Sequence, residues 1–371
     1  MPRKAFCLAI LLSTIILIGS GCGQPPPVKI GFVAGLTGRL ADLGTGGRDG
    51  ALLATEEINQ TGGVKGARFE LLVRDDRSDI QQALKVDQEL IDAGVAAIVG
   101  HVISSGSLAT APLMNSKQVL MISPTVRTAK LTGIDDYFFS MITPIWPATQ
   151  QQAEYALRQR GINRMVMVYD LNNRQYGEDW TQGFADSFTK MGGKIINTLT
   201  VSSATPIDYA EVSRKIQASG ATGVLLVVGA VDAAMFCQHL RKAGSDIAIF
   251  TSSWPVTTEF IKLAGNCAND IIMSSPFDDQ DQTPSFVAFQ KKFIDRFGYS
   301  PNYAAVHSYE AVKIIAEALK INNDAKKLKQ TLLQIKKFNG LTGPFELDGF
   351  GDTIRGNYLL TVRNGQFVII K

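Results

Sequence analysis

VGHVISSGSLATAPLMNSKQVLMISPTVRTAKLT, from Val99 to Thr132, decides how this chain is read. The apolar run Ala96–Gly100 stops at a glycine, and Ser104, Ser105, Gly106 and Ser107 then open a helix through Leu108–Asn115. A second apolar run, Val119–Ile122, ends at Ser123-Pro124-Thr125. The order is strand, hydroxyl-rich turn, helix, strand, hydroxyl-rich turn. If the strands are neighbours in one parallel sheet, both turns emerge at its carboxyl edge, where open α/β sheets bind ligands. Unpaired amides and the positive dipole end at a helix start suit a carboxylate. Either serine alone reads more simply as a helix cap. Two such turns in one unit, followed by Arg127, point to a site.

The chain has 371 residues, too many for one ordinary core and about right for two lobes. With 45% hydrophobic and 19% charged residues it buries large cores and is not disordered. The formal charge of +3 gives no reason to expect a nucleic-acid partner. Arg3 and Lys4, the apolar run Ala9–Ile18 and the small residues Gly19-Ser20-Gly21-Cys22 form an export leader. Cys22 after small residues resembles a bacterial lipobox, although Gly19 stands where a large aliphatic residue is usual. The expectation is a chain lipid-anchored through Cys22 on the periplasmic or extracytoplasmic face, with a stiff tether at Gln24-Pro25-Pro26-Pro27. An ordinary secretory signal is the alternative. Cys237 and Cys267 remain after the leader, and export permits either a disulfide or two free thiols. The histidines at 101, 239 and 307 lack ligand spacing, so no metal or other cofactor is expected.

Val28–Ala34 reads as the first strand, Gly35–Gly47 as a loop and Arg48–Thr61 as an amphipathic helix. Phe69–Arg74, the helix Gln81–Ala93 and the strand Ala96–Gly100 continue a β-α-β-α-β series. Gly44, Gly46, Gly47 and Gly50 imitate a phosphate-binding turn, but Asp49 breaks the spacing and no Lys-Ser/Thr follows. They read as a flexible rim loop. A second alternating series begins near Pro144, with strands at Arg164–Tyr169, Lys194–Thr200, Gly223–Val228 and Ala248–Thr251. Asp170–Gly177 reads as a polar loop before the helix Glu178–Met191. The fold class is therefore α/β, with two doubly wound parallel-sheet lobes.

Taken in order, VKIGF, GALLATEEINQTGGVKG, DDRSD, IVGHVISS, LMISPT, YGEDW and LRKAG resemble the Leu/Ile/Val-binding branch of the type I periplasmic solute-binding proteins. The resemblance spans essentially the whole mature chain. It implies two lobes joined by a three-strand hinge, closing on a ligand and delivering it to an ABC permease. By similarity, residues 1–21 are a signal peptide and 22–27 a tether. Residues 28–142 with 277–356 form lobe one, and 143–276 with 357–371 form lobe two. The protein is expected to act as a monomer.

The resemblance also implies a site. Ser104, with Ser105, and Thr125 match hydroxyls that hold a ligand carboxylate. Arg127 stands where a second hydroxyl is common, and could add a charge-assisted contact or be a solvated rim charge. Tyr176 matches a tyrosine that closes over the ligand. The family's next tyrosine falls near Gly229 and Ala230, and its acid for an α-ammonium falls at or near Trp254. Asp232 or Glu178 could substitute, or be simple helix N-terminal charges. Trp254 reads as a pocket wall or as core, and Leu36, Leu43 and Ile103, with residues near Tyr303 and Ala305, as the apolar end. The expected ligand is a small carboxylate, either an apolar or aromatic amino acid or a non-amino organic acid. A ligand-sensing module for a membrane receptor is the competing role. A Ser104–His101–Asp75 catalytic set lacks the G-x-S-x-G elbow, and no enzyme is expected.

Overall fold

The computed structural model describes residues 25–370; the leader and Cys22 lie outside them. The first sheet holds β1 (Val28–Ala34), β2 (Phe69–Asp75), β3 (Ala97–Gly100), β4 (Leu120–Ser123) and β5 (Phe138–Ser140). They run parallel in the order β2-β1-β3-β4-β5. Helices α1 (Ala41–Gln60), α2 (Ile80–Asp92) and α3 (Ser104–Lys117) make the crossovers. Alternation along the strands divides the core. Ile30, Phe32, Val99 and Ile122 face one cluster, while Val33, Ile98 and Met121 face the other. Both faces are covered, which is why these strands read as unbroken apolar runs.

The second sheet repeats this order with β6 (Arg164–Asp170), β7 (Lys194–Val201), β8 (Gly223–Val227), β9 (Ala248–Thr251) and β10 (Ile272–Ser275), arranged β7-β6-β8-β9-β10. Their crossovers are α4 (Ile145–Glu154, before β6), α5 (Arg174–Lys190), α6 (Tyr209–Ala218), α7 (Ala230–Lys242) and α8 (Thr258–Ala264). Two C-terminal strands, Tyr358–Arg363 and Gln366–Ile369, add antiparallel beyond β10. This sheet is therefore mixed at one edge rather than wholly parallel. Strand order reverses between β1 and β3, and again between β6 and β8, which opens a crevice at each carboxyl edge.

Helices α9 (Pro284–Phe297), α10 (Tyr303–Ile321) and α11 (Leu328–Ile335) follow, and then a three-stranded sheet of β11 (Lys337–Gly340), β12 (Gly343–Leu347) and β13 (Thr353–Ile354). Asp352 ties this segment to the first sheet by accepting from the Gly133 amide at 2.7 Å. The main packing partner of α10 is α1. That contact corrects the expected rim loop. Gly44, Gly46, Gly47 and Gly50 lie inside α1, which begins at Ala41 rather than at Arg48. A Cβ on Gly50 would stand 2.0 Å from the Ala305 carbonyl oxygen, and one on Gly46 would stand 2.5 Å from the Asn302 side chain. Glycine is present because two helices approach closely, at a cost in helix propensity that packing outweighs. The polar segment before Glu178 is also helical, since α5 starts at Arg174 after a short turn opened by Asp170, whose carboxylate accepts from Asn172 N at 3.0 Å.

His101, just past β3, is fully buried between two acids. Its Nδ1 lies 2.5 Å from Asp76 and its Nε2 3.1 Å from Asp87. Burial alone would lower its pKa, but Asp87 and Asp76 outweigh burial and push it up to about 10. The imidazolium thus pins β3 to the middle of α2 and to the loop before it.

Two outcomes follow. Gly50→Ala should destabilise the protein by about 1–3 kcal/mol through overpacking, read from the urea midpoint. The His101 pKa is raised on folding, so its contribution is complete below about 6.5 and is lost as pH climbs toward about 10. Thermal midpoints measured from pH 6 to 10 should therefore fall, and His101→Gln should be less stable at neutral pH with a flatter decline.

Candidate functional site

Side-chain hydroxyls tie the two carboxyl-edge turns of the first sheet together. Ser123 Oγ donates to the His101 carbonyl and Thr125 Oγ1 to the Val102 carbonyl, each at 2.7 Å. Ser104 Oγ donates to the Arg127 carbonyl at 3.3 Å. Ser104 is therefore not the helix cap: that position is Ile103, and the serine hydroxyl braces the neighbouring turn instead. The donors of Ser104 and Thr125 already have backbone acceptors, so neither hydroxyl is the most available group for an anion.

That group is Arg127. It is 2% exposed, which rules out a solvated rim charge. Its Nε and Nη2 have no hydrogen-bond partner among the described residues. Nη1 lies 3.3 Å from the Asn357 amide oxygen. The Asn357 amide is better satisfied when turned over to donate to the Ser275 carbonyl, and Nη1 then loses that acceptor too. Tyr176 on α5 and Tyr303 at the start of α10 both lie close enough to act electrostatically on the guanidinium. Burial lowers the Arg127 pKa and raises those of both tyrosines. An arginine still stays cationic near neutral pH, and both phenols stay protonated. The arrangement gathers one cation and two hydroxyls in one buried neighbourhood.

Aromatic side chains close the second-lobe side. Tyr176 meets Trp254 edge-on with ring centroids 6.0 Å apart, and its hydroxyl lies 3.1 Å from Ser253 Oγ. Trp254 is buried in the turn after β9, against the wall that Gly229 and Leu40 also reach. Ala230 is the first residue of α7, directly behind Gly229. Leu43 is buried inside the first-lobe core on α1.

Several contacts cross from one sheet assembly to the other. Asp232, which accepts from Tyr209 of its own assembly at 2.5 Å, pairs with Arg39 of the other at 2.8 Å. Asp179 accepts from Thr128 Oγ1 at 2.7 Å and from the Ala129 amide at 3.1 Å. Asp42 accepts from Thr257 at 2.8 Å. The Ser105 amide donates to Asn173 at 3.2 Å. Asp232 is thus engaged by a cation from the opposite side and does not stand free for an ammonium. Its Oδ2 lacks a hydrogen-bond partner, as does Arg39 Nε, within this same charge pair. Glu178 pairs with Arg174 at 2.6 Å on the exposed face of α5.

Arg39, Asp179, Ser253 and Asn357 take part without having been singled out as site residues by type or spacing, and Tyr303, expected only in the region of the apolar end, brings a hydroxyl. Only Ser253, in another hydroxyl-rich turn after a strand, carries a signal of the kind that exposed Ser104 and Thr125. Cys237 and Cys267 are free thiols, the Cys237 Sγ donating to the Cys267 carbonyl at 2.7 Å. The catalytic set built on His101 fails geometrically, because both ring nitrogens face Asp76 and Asp87 and not Ser104.

Comparison with known proteins agrees with this architecture. The Leu/Ile/Val/Thr/Ala-binding protein of Pseudomonas aeruginosa is 25% identical over 332 residues, covering 88% of this chain and 87% of its own length. A leucine-binding protein from Thermotoga maritima superposes with a TM-score of 0.86 at 22% identity, covering 93% of this chain and 98% of its own. A solute-binding protein from R. palustris, solved in complex with benzoate, superposes at 0.85 with 19% identity, covering 93% and 95%. These homologues are solute-binding proteins, not enzymes. No described helix is long and apolar enough to cross a membrane. The periplasmic binding protein model matches residues 27–366, and the chain belongs to that family.

Proposed function

We propose that this protein is an extracytoplasmic solute-binding component of an ABC importer that holds a small carboxylate between two closing lobes. The lobes are residues 28–142 with 277–356 and residues 143–276 with 357–371, and Cys22 is the lipid anchor. The observation that carries the reading is the buried Arg127 guanidinium with two unpartnered nitrogens. An isolated buried cation costs several kcal/mol, whereas a carboxylate accepting two parallel N–H bonds matches its fork. Tyr176 and Tyr303 donate from the two lobes, so the ligand completes a contact that needs both. The relatives named for leucine and the neighbour holding benzoate share a carboxylate, the one group Arg127 is built to recognise.

The interlobe bridges supply the closing contacts. Asp179 receives two hydrogen bonds from the turn that carries Arg127, and such bonds to a charged group contribute about 1.5–3 kcal/mol each. Binding the ligand and docking Asp179 therefore draw the same turn toward α5.

Arg127→Met tests the anchor. A carboxylate panel of benzoate, 4-methylpentanoate and leucine, screened by thermal shift, should find a ligand for the parent, which adds about 2.7 kcal/mol at a hundred times its dissociation constant. The variant should bind that ligand at least about 100-fold more weakly. Its unliganded midpoint should stay level or rise, because an unpaired buried cation has been exchanged for an apolar chain of similar volume. A large fall in that midpoint with binding retained would make Arg127 structural.

Asp179→Ala tests closure. Small-angle scattering of the unliganded variant should give a larger radius of gyration than the parent, with an unchanged circular dichroism spectrum. Equal radii, with ligand affinity also equal, would remove Asp179 from the closing mechanism.

A further inference from the structure

We infer that the ligand carries a carboxylate but no α-ammonium: an organic acid, aliphatic or aromatic, rather than an amino acid. This rests on the carboxylate reading above and narrows it. An α-ammonium sits two bonds from the carboxylate carbon. A zwitterion seated on Arg127 therefore brings its own cation beside the guanidinium. Like charges in a water-poor site repel strongly, so the ammonium needs an acid of its own at that point.

The described residues offer none there. The side chains near Arg127 include Tyr176, Tyr303, Asn357 and His307, with Ser253 and Trp254 close by, and none of them is an acid. The acids that do line the junction are each engaged elsewhere. Asp179 holds Thr128 and the Ala129 amide with one oxygen and Gln175 with the other. Asp232 Oδ1 is matched by Arg39 and Tyr209, and its Oδ2, though without a hydrogen-bond partner, belongs to that same charge pair. Asp42 holds Thr257. Three of these contacts are the interlobe bridges, so taking an acid away to serve an ammonium would undo the closure that encloses the ligand. A tryptophan face attracts an ammonium only weakly by comparison with a carboxylate. The same three aromatic rings are well suited to the apolar body of an acid.

Matched series decide it, titrated calorimetrically into the purified protein: leucine, 4-methylpentanoate and 4-methylpentanamide; phenylalanine, 3-phenylpropanoate and 3-phenylpropanamide. The acid of at least one series should bind, with its amino acid and its amide both weaker by on the order of 100-fold or more. Leucine or phenylalanine binding as tightly as its acid overturns the absence of an ammonium and leaves the carboxylate anchor standing. An amide binding as tightly as its acid overturns the anchor itself. If neither series binds, native mass spectrometry of the protein as purified identifies what it carries. A retained organic acid supports the inference, a retained amino acid overturns it, and neither retained overturns the carboxylate reading.

Discussion

A guanidinium enclosed where two lobes meet is the constraint on which the site depends. Taking Arg127 out of water costs several kcal/mol, and no described carboxylate pairs with it. It is held there by its backbone. The Ser104 hydroxyl grips the Arg127 carbonyl, and Thr125 and Ser123 grip the carbonyls of Val102 and His101. Those carbonyls belong to the turn that His101 anchors through Asp76 and Asp87. A chain of hydrogen bonds thus runs from the buried imidazole to the carbonyl of the residue that bears the open cation. The serines and threonines of the two turns act first as braces, and in the proposed site the charge they position is the group offered to the ligand.

Closure is then a balance of two opposed terms. The bridges through Asp232, Asp179, Asp42 and Asn173 favour contact between the lobes. Enclosing Arg127 without a counter-ion opposes it. A ligand shifts such an equilibrium only by its differential affinity for the two arrangements, and an anion completing Arg127 has that difference built in. The bridges keep the opposing term small enough for one carboxylate to decide the outcome, which is the economy expected of a protein that must also release its cargo.

Much of the frame was legible because parallel strands covered on both faces read as short apolar runs, and the alternation of runs with amphipathic stretches gave the two α/β lobes. The hydroxyl-rich turns were legible for the same reason, since they interrupt those runs at one edge. What escaped depends on distant partners. The glycines of α1 look like a loop until Ala305 and Asn302 are seen against them. The residues before Glu178 look like a loop because a polar helix start shows no apolar period. Asp232 has the right type and place for an ammonium partner, and only the position of Arg39, far away in sequence, removes it from that role. Trp254 and Tyr176 could be placed by local context, whereas the hydroxyl that Tyr303 brings close to Arg127 comes from a helix more than a hundred residues after Tyr176.

The separation of anchor from selector follows from the chemistry of the groups. A guanidinium reads the planar end of a ligand and is indifferent to what lies behind it, so Arg127 alone cannot distinguish one acid from another. Discrimination must come from the groups around it, by what they accept and by what they leave unsatisfied. Tyr176, Tyr303 and Trp254 present ring surface, which rewards an apolar body in proportion to the area covered. The acids engaged in the bridges exclude a second cation by offering it no partner. On the proposed reading, the residues that hold the lobes together therefore also help set which ligand they close upon.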